Sequence, residues 1–429
     1  MLVQNPQYIL DKLCSVYFKN FGCKVNISES NTLKDELSEY VRFTEIVEDA
    51  NVVIVNSCCV TEIAVNKCLH FIKNLKHKNA DAKVLVIGCL ADHMGIKLSE
   101  HGVNAIITND NKKSVVSILK KMGIIEKKHL FTSDNDHSST RAFLKIQEGC
   151  DNYCSYCIIP YVRGKPKSKG IDDVLIEFNE LIEKGYKEIV LVGIHLGKYG
   201  IDRSINLYQL LQKLIAINKD FRVRLSSIEI NEISKEIVKL MQENSDKICP
   251  HLHIPLQSGS DRILTLMNRN YKRYDFIEKI DYIKSSIPAI TIGFDVIVGF
   301  PSENKQDFLG TKEIITSARP NYVHIFPYSD RPGTKAYEII DKVDNIEKQD
   351  RIEELNAIHR IFKIDSYRNK INSFCRVLIE KDFTGYSDDY FKVKVDFDEI
   401  NVFANVKIIS FEEENMILGG KICTEKMLR

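Results

Sequence analysis

Residues 142–164 read AFLKIQEGCDNYCSYCIIPYVRG. An apolar, strand-like run, AFLKIQ, leads into three cysteines, Cys150, Cys154 and Cys157, spaced C-x3-C-x2-C. Three thiolates on one short loop supply ligands for three irons of a 4Fe-4S cube and leave the fourth iron open to another ligand. Zinc is the alternative. It prefers four ligands, usually as two separated Cys/His pairs, and no fourth Cys or His lies nearby in the sequence.

Working downstream, AFLKIQ is the first of six apolar strand candidates, followed by EIVLVGI, RVRLSS, LHIPLQ, TIGFDVIVGF and YVHIFPY. Amphipathic stretches such as DVLIEFNELIEKGY separate most of them. Six β/α units predict a partial (β/α)6 barrel, whose reactive face is the C-terminal ends of its strands. Gly193 in LVGIHLG and Gly299 in VIVGFP end strands, either where a side chain would obstruct a cofactor or as tight-turn glycines. Beyond a charged helical segment, IEKQDRIEELNAIHRIFKIDSYRNK, the tail turns to FCRVLIE, YFKVKVDF and NVFANVKIISF, which predicts a small all-β module.

Upstream, strand-like and helix-like stretches alternate from SVYFKNFG through LKDELSEYV, NVVIVNS, AVNKCLHFIKNL and KVLVIGC to SVVSILKKMG. This alternation predicts an open parallel α/β sheet. Cys23, Cys58 and Cys89 each follow a strand candidate. In such sheets ligands bind beyond the carboxyl ends of the strands, so the three either converge on a second metal site or are buried structural thiols. The expected organisation is an N-terminal domain over 1–125, a polar linker over 126–141 (FTSDNDHSSTR within it), a barrel over 142–370 and a β module over 371–429.

Bulk properties narrow the classes. At 429 residues the chain accommodates two or three domains. Sixty Lys/Arg against 59 Asp/Glu give a formal charge of +1, so any nucleic-acid contact must come from local patches. The start lacks a signal-like apolar run and no stretch approaches the ~18 apolar residues of a membrane span, which predicts a cytoplasmic protein. Twelve cysteines there point to metal rather than disulfides.

The strings FGCKVN, VNSCCVT, VIGCLAD and EGCDNYCSYCIIPYVRG, in that order, resemble the signature of the methylthiotransferases, two-cluster enzymes of the radical S-adenosylmethionine (AdoMet) class. The resemblance continues through IVLVGIHLGKYG, RLSSIE, LHIPLQSGSDRILTLMNR, DVIVGFPSE and HIFPYSDRPGTKA, nearly the whole chain. It implies a 4Fe-4S cluster on Cys150, Cys154 and Cys157 that cleaves AdoMet to a deoxyadenosyl radical, with Tyr156 near the adenine of AdoMet. It also implies a second 4Fe-4S cluster on Cys23, Cys58 and Cys89 that carries or activates sulfur, and a second AdoMet as methyl donor. Cys59 stands where the family usually has Thr. Cys14, Cys68, Cys249, Cys375 and Cys423 fall outside the motifs and read as structural thiols.

The family acts on isopentenyladenosine of tRNA, threonylcarbamoyladenosine of tRNA, or an aspartate of a ribosomal protein. CSYCIIPYVRG, GIHLGKYG and FPYSDRPGT resemble the threonylcarbamoyladenosine branch, implying tRNA as partner together with an unidentified reductant and sulfur donor. The tail resembles a TRAM module, a small RNA-contacting barrel, although residues 371–429 hold 8 Lys/Arg and 11 Asp/Glu, a net of −3. Arg163, Lys165, Lys167 and Lys169 form a run without acids that either meets tRNA phosphates or edges a strand. From another class, a non-catalytic RNA-binding protein with structural metal predicts zinc, or clusters without an open iron, and no AdoMet cleavage.

Overall fold

Parallel pairing organises the N-terminal part of the chain. In the computed structural model, which describes residues 14–126 and 140–423, β1 (Ser15–Asn20), β2 (Arg42–Phe43), β3 (Val52–Ser57), β4 (Lys83–Gly88) and β5 (Ala105–Ile107) form one parallel sheet in the order β2-β1-β3-β4-β5. The central strand β3 is buried at every residue because both of its faces are covered. Val53 and Val55 pack toward Cys68, Ile72 and Leu75 of the helix Glu62–Lys78. Val52 and Ile54 pack toward Leu33, Leu37, Val115 and Leu119 on the other side. Each such aliphatic side chain contributes roughly 1.5–3 kcal/mol on burial, and the alternation of faces follows from the two-residue period of a strand. Thr61 starts the helix Glu62–Lys78 by accepting a hydrogen bond from Ala64 N, as an N-cap should.

The helix after β1 departs from the sequence expectation. It runs over Lys24–Leu37, beginning at Cys23 rather than near Leu33. Its first turns bury Val25, Asn26, Ser28 and Ser30, so polar contacts, not apolar periodicity, fix that end.

The second compact unit carries β6 (Arg141–Glu148), β7 (Lys167–Ser168), β8 (Glu188–Gly193), β9 (Arg222–Leu225), β10 (His251–Gln257), β11 (Thr291–Val298) and β12 (Tyr322–Pro327). β6, β8 and β9 form a parallel sheet, as do β10, β11 and β12, while β7 is an antiparallel edge on β6. The bridge Val223–Ile248 relates β9 to the chain entering β10. All six strand candidates of the partial barrel are therefore present. Leu252, Ile254, Ile292, Phe294, Val296 and Val323 join the apolar core with the surrounding helices, so the alternate residues His251, His253, Asp295, Tyr322 and His324 occupy the inner face.

A closed barrel follows the helix Asn345–Arg368, made of β13 (Phe374–Ile379), β14 (Thr384–Ser387), β15 (Lys392–Val395), β16 (Phe403–Glu412) and β17 (Ile417–Ile422) in the order β13-β14-β15-β17-β16. It docks on the residues that begin the strands of the larger barrel. Arg222 and Arg224 share the buried carboxylate of Glu188 at 2.5–2.8 Å, and the same guanidinium groups donate to Tyr386 O at 2.9 Å and Asp388 O at 3.0 Å. Arg141 pairs with Glu380 at 2.8 Å and Thr291 Oγ1 donates to Asp389 O at 2.7 Å. The β module thus closes the end opposite the strand C-termini.

The chain clusters into Met1–Asp136 with Cys157–Gly164, and His137–Tyr156 with Lys165–Arg429. The polar stretch read as a linker lies, over 127–139, outside the described residues.

Candidate metal centres

At the C-terminal edge of the first sheet, three adjacent strands deliver the three N-terminal cysteines. β1 and β3 are in register at Asn20–Asn56, and β3 and β4 at Ser57–Gly88. Cys23 therefore caps the helix after β1, Cys58 follows β3, and Cys89 begins the helix after β4. Cys23 is exposed, whereas Cys58 and Cys89 are buried. Burial pushes the Cys58 thiol up to about 11, with Cys89 and Cys23 adding to the rise as neighbouring negative charges. Cys89 moves the other way, to about 6, because a hydrogen bond from Cys59 and the Arg163 guanidinium outweigh its burial. Cys59 itself is fully buried in the apolar cluster with Val53, Val55 and Leu90.

Arg163 belongs to this same unit. Its Nε donates to Cys89 Sγ at 3.1 Å, its Nη2 to Asn26 Oδ1 at 2.7 Å, and its Nη1 to Glu29 Oε1 at 2.8 Å. Glu29 also pairs with Lys112. Asn26 in turn donates to Phe21 O at 2.8 Å and Ser57 O at 3.0 Å, tying the Cys23 turn to the end of β3. Arg163, Lys165, Lys167 and Lys169 do not form the continuous cationic run expected from the sequence. The Arg163 side chain is only 1% exposed and is consumed by a buried network, so it presents no charge to RNA. Lys165 and Lys167 are exposed, and Lys169 pairs with Glu177 at 2.5 Å.

In the second unit, β6 feeds the loop holding Cys150 and Cys154. Ser155 N donates to Met267 O at 3.0 Å, Ser155 Oγ to Leu266 O at 2.7 Å, and Asn268 Nδ2 to Asn152 O at 3.0 Å and Tyr153 O at 3.1 Å. These bonds hold a loop that has no regular structure of its own. His195 Nδ1 lies 3.3 Å from Cys150 Sγ, with Nε2 2.6 Å from Glu232 Oε1. Burial lowers the His195 pKa, but Cys150 and Glu232 more than reverse this and raise it to about 9. Arg269 Nη1 donates to Cys154 Sγ at 3.4 Å while its Nη2 pairs with Glu229.

A related arrangement recurs three times: a basic side chain beside a carboxylate lies 3.1–3.4 Å from a cysteine sulfur. The trios are Cys89–Arg163–Glu29, Cys150–His195–Glu232 and Cys154–Arg269–Glu229. Motif spacing did not reveal Arg163 in this role, nor His195 or Arg269. The available signal is that each lies in one of the resembling strings, YVRG, GIHLG and LMNR.

Tyr156 stacks edge-on against Phe300, ring centroids 6.4 Å apart, beside Ile263, Met267 and Tyr328. Gly193 ends β8, where an added Cβ would sit 3.0 Å from Gln147 Oε1. Gly299 has φ +69°, donates its N–H to Glu303 at 2.5 Å, and leaves no room for a Cβ beside Lys348, 2.3 Å away. The positive φ and the close approach of Lys348 both call for glycine at this position.

A partial parallel barrel with a three-cysteine loop after its first strand defines a radical AdoMet enzyme. The Radical SAM superfamily model matches residues 144–315, and the model described as "Uncharacterized protein family UPF0004" matches residues 15–108. The chain is 35% identical to threonylcarbamoyladenosine tRNA methylthiotransferase MtaB of Thermotoga maritima, over 94% of this chain and 96% of that protein. It is 34% identical to MtaB of Bacillus subtilis, over 92% and 94%. It is also 33% identical to tRNA-2-methylthio-N(6)-dimethylallyladenosine synthase of a Thermoanaerobacter species, over 85% and 82%. The chain belongs to the radical AdoMet methylthiotransferase family. Membership of the superfamily implies AdoMet and a 4Fe-4S cluster. Among solved structures, the radical AdoMet methyltransferase TsrM of Kitasatospora setae shares the fold, with TM-score 0.55 and 12% identity over 76% of this chain and 77% of that one.

Proposed function

We propose that the chain converts N6-threonylcarbamoyladenosine of tRNA to its 2-methylthio derivative, using two 4Fe-4S clusters and two AdoMet molecules per turnover. MtaB relatives matching over nine-tenths of the chain support this substrate. The single observation that carries the two-cluster reading is the arrangement of both cysteine sets. Cys23, Cys58 and Cys89 lie at the ends of adjacent strands, and Cys150, Cys154 and Cys157 on one loop.

The residues suit thiolate-bound clusters. Cys89 and Cys154 each receive a charge-assisted donor from an arginine fixed by a carboxylate, and His195 stands 3.3 Å from Cys150; hydrogen bonds of this kind to sulfur tune potential and hold the ligand in place. His195 stands between Cys150 and Glu232, with Nδ1 3.3 Å from Cys150 Sγ and Nε2 2.6 Å from Glu232 Oε1. When bound, the cluster and AdoMet supply a deoxyadenosyl radical that activates C2 of the adenine. The chain's part is to orient. Asn268 and Ser155 fix the cysteine loop, Tyr156 and Phe300 wall it with aromatic surface, and the β module closes the far end of the barrel. Lys165 and Lys167 remain exposed for phosphate contacts. The reading places the protein in the cytoplasm with its tRNA. No described helix is long and apolar enough to cross a membrane.

The test is anaerobic reconstitution with iron and sulfide, then incubation with AdoMet, a reductant and tRNA bearing threonylcarbamoyladenosine, and mass spectrometry of the nucleosides. A methylthio product lost in both Cys150→Ala and Cys58→Ala is expected. AdoMet cleavage with untouched tRNA would remove the substrate assignment.

A further inference from the structure

The inner face of the barrel holds a polar relay that the cluster chemistry does not use. Asp295 and His324 are register partners on β11 and β12. Asp295 Oδ1 lies 3.2 Å from His324 Nδ1, and Asp295 Oδ2 lies 2.8 Å from His253 Nε2. His253 Nδ1 lies 3.0 Å from the Tyr322 hydroxyl, which is also 2.7 Å from His251 Nε2. Tyr322 fits there because residue 293 is glycine, and a Cβ at that position would fall 2.0 Å from the Tyr322 ring.

The relay opens progressively toward His324, with Asp295 and Tyr322 half-buried. His251 and His253 are buried, whereas the His324 side chain is 56% exposed. With Nδ1 turned to Asp295, its Nε2 is the atom left facing outward. Two residues further along β12, toward the end that faces the cysteine loop, Phe326 exposes its ring 6.3 Å from His324 in an edge arrangement. A strand thus presents an aromatic platform and, about 6.6 Å below it, an oriented imidazole. Purine bases stack on such platforms, and a substituent on N6 of a stacked adenine spans a distance of that order.

We propose that His324 is the specificity-determining residue that reads the polar N6 substituent of the target adenosine, its ring positioned by Asp295 and, through Asp295, by His253 and Tyr322. This rests on the threonylcarbamoyladenosine reading above. The threonylcarbamoyl group offers a carboxylate, a hydroxyl and urea N–H groups, each a partner for imidazole in one of its protonation states. An isopentenyl group offers only carbon, and would leave the oriented imidazole without a partner. Asp295 spends one oxygen on each histidine; the three side chains also stand close enough together to hold a metal ion, and the metal content of His324→Gln separates that occupant.

The test compares wild type with His324→Leu and His324→Gln, in preparations of equal iron and sulfide content. The probes are one tRNA carrying threonylcarbamoyladenosine, isopentenyladenosine or unmodified adenosine at the target position. Dissociation constants and kcat/KM are read for each. Wild type should prefer the threonylcarbamoyl form over the unmodified one by about three- to tenfold, the scale of one net hydrogen bond. His324→Leu should bring that ratio close to one through KM, and His324→Gln should restore part of it. Turnover of threonylcarbamoyl tRNA by wild type with an unchanged ratio in His324→Leu overturns the proposal alone. A wild type that leaves this tRNA unmodified overturns it together with the substrate reading. Loss of one bound metal ion in His324→Gln reassigns the trio to cation binding and also overturns it.

Discussion

Arg163 Nε points at Cys89 Sγ from 3.1 Å, and the rest of its guanidinium is held by Glu29 and Asn26. A residue six positions beyond Cys157 in sequence is therefore part of the sulfur environment of the first sheet. Removing it leaves Lys112 as the remaining charged partner of Glu29, in a pocket where the Glu29 side chain is 6% exposed. Arg163→Met should lower the stability of this unit by about 1.5–3 kcal/mol, the scale of hydrogen bonds lost to a charged group that keeps another partner. Urea unfolding of the reconstituted protein measures this, and a loss below about 1 kcal/mol would show the pair to be dispensable.

Adjacent thiols should separate cleanly. Cys58 faces Cys23 and Cys89 electrostatically, while Cys59 is packed in the apolar cluster and reaches the site only through its hydrogen bond to Cys89. Cys58→Ala should lose about half of the bound iron. Cys59→Ala should keep it and lose only the few tenths to ~1 kcal/mol expected for a small buried side chain. Iron analysis of the two variants decides, and equal losses would remove the distinction.

Glu188 is fully buried between Arg222 and Arg224, whose positive charges outweigh the cost of burial and hold its carboxyl well below the usual carboxylate range. A depressed carboxyl stabilises fully above its unfolded pKa of about 4.3 and loses that contribution as pH falls below it. Glu188→Ala should therefore destabilise the docking of the β module by about 3–5 kcal/mol at neutral pH. Faster proteolysis within residues 371–423 is the expected readout; an unchanged cleavage rate would contradict it.

His359 titrates in a different window. Burial lowers its pKa to about 4, below the unfolded value of about 6.5. The unfolded chain then binds more protons between those values, so stability is complete above pH 6.5 and falls toward pH 4, by up to about 3 kcal/mol. His359→Leu should flatten the urea midpoint across that range. A wild-type profile with no slope there would contradict the assignment.

Long, apolar strands were readable from the sequence, and the six barrel strands fall where their β-branched runs lie. What escaped had physical reasons. The helix Lys24–Leu37 hides its start because its buried first turns are polar, so no apolar period marks them. β14 and β17 read TGYS and ILGGKI, too short or too glycine-rich to stand out, and are formed by closure of the barrel around them. Placement of the cysteines after strands was legible because ligand sites in parallel sheets lie at those ends. The donors to their sulfurs were not, because Arg163 and Glu29 are 134 positions apart and Arg269 and Cys154 are 115 apart. Pairing at that separation is a property of the fold.

The central claim is that two sets of three cysteines each hold a cluster. Iron and sulfide counts with Mössbauer spectra, on anaerobically reconstituted wild type and on the triple variants Cys23/Cys58/Cys89→Ala and Cys150/Cys154/Cys157→Ala, test it most directly. About eight irons are expected in wild type and about four in each triple variant, all with 4Fe-4S parameters. About four irons in wild type, or zinc at either set, would contradict it.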